Sequence, residues 1–115
     1  MPNNIRIGCD ITNLSRFESI LNRTPSMRDR MFLPSEQEGA TLKNLAGIFA
    51  AKEAIIKATD LDAGDWNKIE IIKDSDGRPK AKIPKSNNDI QSQDISISHD
   101  GDYIFAVAVF LTKWF

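Results

Sequence analysis

The sequence predicts an α+β domain, a small and mostly antiparallel sheet packed on one long helix and shorter helices. Three observations carry this. Several short runs alternate apolar and polar residues with the period of a strand (Ile5–Ile11, Ile69–Ile71 and Ile95–Ser98). Tight-turn residues stand between the later runs: Asp74-Ser75-Asp76-Gly77 and His99-Asp100-Gly101-Asp102. One stretch, Leu45 to Ala58, is rich in Ala and Ile, has no Gly or Pro after Gly47, and reads as helix.

The first strand, Ile5–Ile11, puts Ile5, Ile7, Cys9 and Ile11 on one side and Arg6, Gly8 and Asp10 on the other. Cys9 is then expected to be a small core residue. Asp10 emerges on the opposite face, beside the open space left by Gly8, as a strand-end or capping carboxylate or as part of a site. Thr12 or Asn13 can cap a helix that runs to about Leu21 or Asn22, with Phe17, Ile20 and Leu21 as its apolar stripe. Arg16, Arg23, Arg28 and Arg30 stand against Glu18 and Asp29 in this region, a local basic patch. It is a solvated face or a dock for an acidic partner, since the arginine fork suits carboxylates and phosphates.

Ser35 with Glu38 three residues on has the pattern of a capping box. Helix is expected from there to about Thr59, with a break near Gly39 or Gly47. At about 100° per residue, Leu42, Leu45, Phe49 and Ile56 share an apolar face, and Glu53 and Lys52 fall in the same arc. Lys57 lies near its edge. A solvated ion pair between Glu53 and Lys57, one turn apart, is the simple reading. The apolar and small residues around Glu53 leave a second one open, because a buried carboxylate needs a charge partner or a metal. Trp66–Ile72 and Arg78–Ile83 read as a strand pair around the Asp74–Gly77 turn, and Ser86 to Asp94 is polar enough for a loop. Tyr103 to Leu111 is apolar on both faces, so it belongs at the centre of the sheet or against a partner. His99 is the one histidine, and Trp114 and Phe115 are terminal aromatics that suit a contact between subunits.

The bulk numbers exclude more than they reveal. With 115 residues, 41% hydrophobic and 27% charged, the chain is one domain with a small core. A net charge of −1 supplies no field to draw nucleic acid or an anionic membrane. No apolar run is long enough to span a bilayer, and no signal peptide is recognisable. One cysteine permits no intrachain disulfide, and cytoplasm is the expected compartment.

Three segments resemble one family. IGCDITNLSRFESIL resembles the opening strand and first helix of the 4′-phosphopantetheinyl transferases. FAAKEAIIKA is similar to their Phe-Ala-x-Lys-Glu-Ala-x-x-Lys-Ala helix, and ISISHDGDYIFAVAV to their Ser-x-Ser-His turn and final strand. WNKIEI and DGRPKAKI fit the strands between. The resemblance covers most of the chain in the right order, and the length matches the short bacterial type, holo-acyl-carrier-protein synthase. It implies the phosphopantetheinyl transferase fold and transfer of phosphopantetheine from coenzyme A to a serine of an acyl carrier protein, releasing 3′,5′-ADP. By the same resemblance, Asp10 and Glu53 are magnesium ligands, Glu53 or a water on the metal takes the proton of the incoming serine, and Lys57 steadies the charge on the leaving phosphate. Lys52, Ser98 and His99 are coenzyme A contacts, and Arg16 and Arg23 meet the acidic carrier. A homotrimer with sites at the subunit seams is also implied. The chain departs from the family pattern at Ile48, where an arginine is common, at Asn13, where a glutamate is common, and in TDLDAGD, where a Gly-Thr-Gly stretch is usual. Those departures bear on coenzyme A affinity, and they keep a non-catalytic carrier-binding module on the same fold as the alternative.

Overall fold

The computed structural model describes residues 3–84 and 88–114. Strand β1 (Asn3–Asn13) leads into helices α1 (Leu14–Arg23), α2 (Met27–Met31), α3 (Pro34–Gln37) and α4 (Leu42–Ala58). A 3₁₀ turn (Trp66–Lys68) precedes β2 (Glu70–Lys73), β3 (Pro79–Lys82), β4 (Asn88–Asp100) and β5 (Tyr103–Trp114). β1, β5 and β4 form an antiparallel sheet in that order, and β2 pairs antiparallel with β3. The expected central place of the Tyr103 strand is the observed one. Gln93 on β4 joins the two sheets: its side chain accepts from Ala81 N at 2.8 Å and donates to Ala81 O at 3.0 Å, imitating a strand neighbour.

Asn13 caps α1 by accepting from Arg16 N at 2.9 Å. The capping box expected at Ser35 and Glu38 does not form. Leu33 is the cap residue, its N–H donates to Glu36 Oε1 at 2.8 Å, and Ser35 Oγ donates to Glu70 Oε2 at 2.6 Å. The chain breaks at Gly39, whose φ of 67° suits glycine, and Thr41 then starts α4 with its own reciprocal cap to Asn44. Gly47, the other candidate break, lies inside α4. The strand expected from Trp66 begins only at Glu70. The loop expected over Ser86 to Asp94 is strand from Asn88 onward, because β5 pairs with it along its length apart from a register shift between Ile90 and Ser92, and Ser86 and Asn87 lie outside the described residues. His99 and Asp100 likewise belong to β4, leaving Gly101 and Asp102 as the turn.

The core lies between α4 and one face of the large sheet. Ala46, Ala50, Ala54 and Ala58 are fully buried on α4, against Ile95, Ile104, Ala106, Ala108 and Phe110. The small residues let the helix backbone come close, and Gly8 makes the closest approach: a Cβ there would sit 1.9 Å from Ala54 O. This reverses the expected faces of β1. The Gly8 and Thr12 side meets α4, whereas Ile5, Ile7 and Ile11 are 75%, 66% and 64% exposed and Cys9 is exposed with them. Alternation reports a period, but only the close approach of α4 decides which face is covered. Tyr103 and Phe105 of β5 continue the uncovered apolar face. Phe115 and the Trp114 side chain lie outside what is described, and with them the expected seam aromatics.

Candidate functional site

Glu53, Lys57 and Asp10 come together where the C-terminal half of α4 lies along β1. Asp10 sits on the helix side of β1, in register with Ala106, and accepts from Thr12 Oγ1 at 3.1 Å. Lys57 Nζ donates to Cys9 O at 2.9 Å and meets Asp10 Oδ1 at 3.4 Å. Lys57 therefore pairs across to β1 rather than with Glu53 on its own helix. Glu53 is half-buried beside them, and burial raises its pKa above the ordinary carboxylate value. The Trp66 indole N–H and the Lys57 charge oppose that rise, while the charge of Asp10 adds to it. Glu53 and Asp10, next to one half-exposed lysine, make an oxygen-donor pair suited to a hard divalent cation. Among the described residues no larger group of carboxylates, histidines or cysteines gathers, so such an ion would need further oxygens from water or substrate.

Lys52 corrects the sequence expectation. It was expected at a coenzyme phosphate, but it is fully buried, and its ammonium donates to Glu36 Oε1 at 2.6 Å, Met31 O at 2.8 Å and Trp66 O at 3.0 Å. Three donors are thus committed inside the protein and none is left for a phosphate. Burial lowers the Lys52 pKa, and the adjoining Glu36 carboxylate opposes that. Glu36 was missed by the sequence reading. Its two oxygens also accept from Leu33 N and Ile71 N, each at 2.8 Å, so the pair staples α3, α4 and β2 together. The one signal in the sequence was Lys52 inside an apolar arc, which requires a partner but does not say where it lies.

His99 and Ser98 separate. Consecutive strand residues face opposite ways. His99, in register with Ile104, lines a cavity of about 630 Å³ beside the N-terminal half of α4, with Lys43, Gly47, Ile48 and Ile97. Ser98 lies in register with Phe105 and is exposed. Neither lies with Asp10 and Glu53 at the other half of α4. Arg16 and Arg23 are exposed on α1 and make no ion pair among the described residues. α1 is tied to the β4–β5 turn by Leu14 N to Asp102 O at 2.8 Å and Ser15 Oγ to Asp102 Oδ1 at 3.1 Å.

The layered α+β architecture is that of a known class of transferases. Residues 6–108 match the model of the 4′-phosphopantetheinyl transferase superfamily, and the chain belongs to that superfamily. A holo-[acyl-carrier-protein] synthase of Frankia alni is 34% identical over 91% of this chain and 95% of its own length. One from Caldanaerobacter subterraneus is 35% identical over 91% and 93%. The apo-ACPS structure from "Chronobacterium ammoiniagenes" superposes with a TM-score of 0.85 at 28% identity, covering 97% of this chain and 99% of that one. The Helicobacter pylori holo-[acyl-carrier-protein] synthase, solved in complex with coenzyme A, gives 0.80 at 33% identity over 90% and 98%. Within the superfamily the chain is of this short, holo-acyl-carrier-protein synthase type.

Proposed function

We propose that this protein transfers 4′-phosphopantetheine from coenzyme A to a serine of an apo-acyl carrier protein, giving the holo-carrier and 3′,5′-ADP. The observation that carries the reading is the meeting of Asp10, Glu53 and Lys57, residues far apart in sequence that the family motif predicts as one site. The kinship with holo-[acyl-carrier-protein] synthases, one of them crystallised with coenzyme A, supports the substrate.

Asp10 and Glu53 would hold magnesium, which when bound neutralises the pyrophosphate charge that repels a nucleophile. The carrier's serine oxygen bonds to the coenzyme's phosphorus as the phosphate oxygen of 3′,5′-ADP leaves. Glu53 takes the serine proton, and a half-buried carboxylate with a raised pKa is a stronger base than an exposed one. Lys57 meets the charge that builds on the leaving phosphate; its side chain is 58% exposed, and its present partners are a carbonyl and an acid at the site itself. Arg16 and Arg23 face solvent, where an acidic carrier can reach them.

The uncovered face of Ile5, Ile7, Ile11, Tyr103 and Phe105 suits further copies of this chain, and a homotrimer closes it. In that assembly the cavity with His99 supplies coenzyme contacts across the seam from the acids of a neighbouring copy. Ser98, on the uncovered face, lies at the same seam. Incubation with apo-carrier, coenzyme A and magnesium, followed by mass spectrometry of the carrier, tests the function. A gain of one phosphopantetheine is expected. Carrier that binds but gains no mass, with any carrier tried, would favour the non-catalytic module.

A further inference from the structure

We propose that Trp66 is a positioning residue for Glu53: its indole N–H orients the Glu53 carboxylate toward Asp10, and the buried Lys52–Glu36 pair is the clamp that aims it. The inference rests on the role given to Glu53 above.

Trp66 Nε1 is enclosed and makes no hydrogen bond among the described residues. A buried donor left without an acceptor carries the whole loss of its hydration, so such groups are rare and call for a reason. The two α4 residues that hold Trp66, Phe49 and Lys52, lie one turn before Glu53 and next to it, and the indole N–H favours the ionised form of that carboxylate. Trp66 is held from two sides. Its ring packs at 5.9 Å on Phe49, one helical turn before Glu53. Its carbonyl accepts from Lys52 Nζ at 3.0 Å, and from Ile69 N at 3.2 Å. Lys52 is itself fixed by Glu36 and Met31 O. Lys52 and Glu53 are neighbours in the chain, so the lysine that holds the Trp66 backbone stands beside the carboxylate proposed to meet its ring nitrogen. The turn is thereby locked to the segment of α4 that carries the acid. This gives the buried lysine a part in the site without contact to substrate, through the aim of the donor that steadies Glu53.

Two measurements test this. In ¹⁵N-labelled protein the two indole signals are assigned with Trp114→Phe, and Glu53→Gln is then introduced. The Trp66 indole signal is expected to shift and that of Trp114 to stay. An unmoved Trp66 signal would overturn the proposal, and this readout holds whether or not the protein transfers phosphopantetheine. Trp66→Phe keeps the ring on Phe49 and removes the N–H. Thermal unfolding and KM for the carrier are expected to stay near those of the parent, while the magnesium concentration needed for half-maximal transfer rises about 10–100-fold. An unchanged magnesium dependence in a folded Trp66→Phe would refute the positioning role. If Trp66→Phe does not fold, the indole shift in the parent fold decides alone.

Discussion

Lys52→Met separates a structural lysine from a substrate lysine. Methionine keeps the length of the stem that passes Phe32 and removes only the ammonium, which lies 5.6 Å from that ring. Glu36, 5% exposed, would keep its two backbone donors but lose its charge partner at 2.6 Å. The carbonyls of Met31 and Trp66 would lose theirs as well. Leaving one half of a buried pair behind costs about 3–5 kcal/mol, a large part of the roughly 5–15 kcal/mol that holds a domain together. In a chain of this size about 1 kcal/mol moves Tm by about 3–6 °C, so a fall of roughly 10–30 °C is expected. Adding Glu36→Gln removes the stranded charge and should recover at least about half of the loss. The assay is thermal and urea unfolding followed by circular dichroism, at a fixed protomer concentration because assembly shifts apparent stability. Two results would refute the reasoning: Lys52→Met melting within about 3 °C of the parent, or a double variant no more stable than the single one. A phosphate-contacting lysine predicts the opposite pattern, an unchanged melting curve with a raised KM for coenzyme A.

Gly8→Ala places a methyl 1.9 Å from Ala54 O and 3.1 Å from Ala58 N, both backbone atoms that can yield only if β1 moves off α4. We expect a loss of about 1–3 kcal/mol or more, with transfer reduced further because Asp10 travels with β1; parent-like unfolding and activity would disprove the tight contact. Ile7→Asp puts a charge on a residue 66% exposed in the single chain, so the protomer should stay folded while light scattering shows the proposed homotrimer dissociating. An oligomer that persists in the variant would remove this face from the proposed interface. Glu53→Gln should abolish transfer, and its effect on stability has a defined sign. The folded pKa of Glu53 lies above the unfolded value, so its favourable protonated form is fully present below the unfolded pKa and is lost as pH rises through the folded one. The glutamine variant should therefore lose less stability than the parent as pH rises from about 4 to neutral, in unfolding measured without metal. A steeper loss in the variant would contradict the desolvation argument. Arg16→Glu should raise KM for the carrier with little change for coenzyme A, and an unchanged carrier KM would dissociate α1 from docking.

What the sequence alone determined was local. Asn13 caps α1 and the Asp74–Gly77 turn joins β2 to β3, because caps and turns are built by neighbours a few residues apart. The apolar run at Tyr103 announced a central strand, and the family motif singled out Asp10, Glu53 and Lys57. Tertiary structure decided the rest. Whether Ile7 or Gly8 faces the helix depends on how closely α4 can approach, which Gly8 itself permits. Lys52 takes a carboxylate from α3 and Lys57 one from β1, although Glu53 stands beside one and a turn from the other. Spacing along a helix identifies residues that can meet, but a buried ammonium goes to the partner that satisfies it best after desolvation, and packing alone brings that partner within reach.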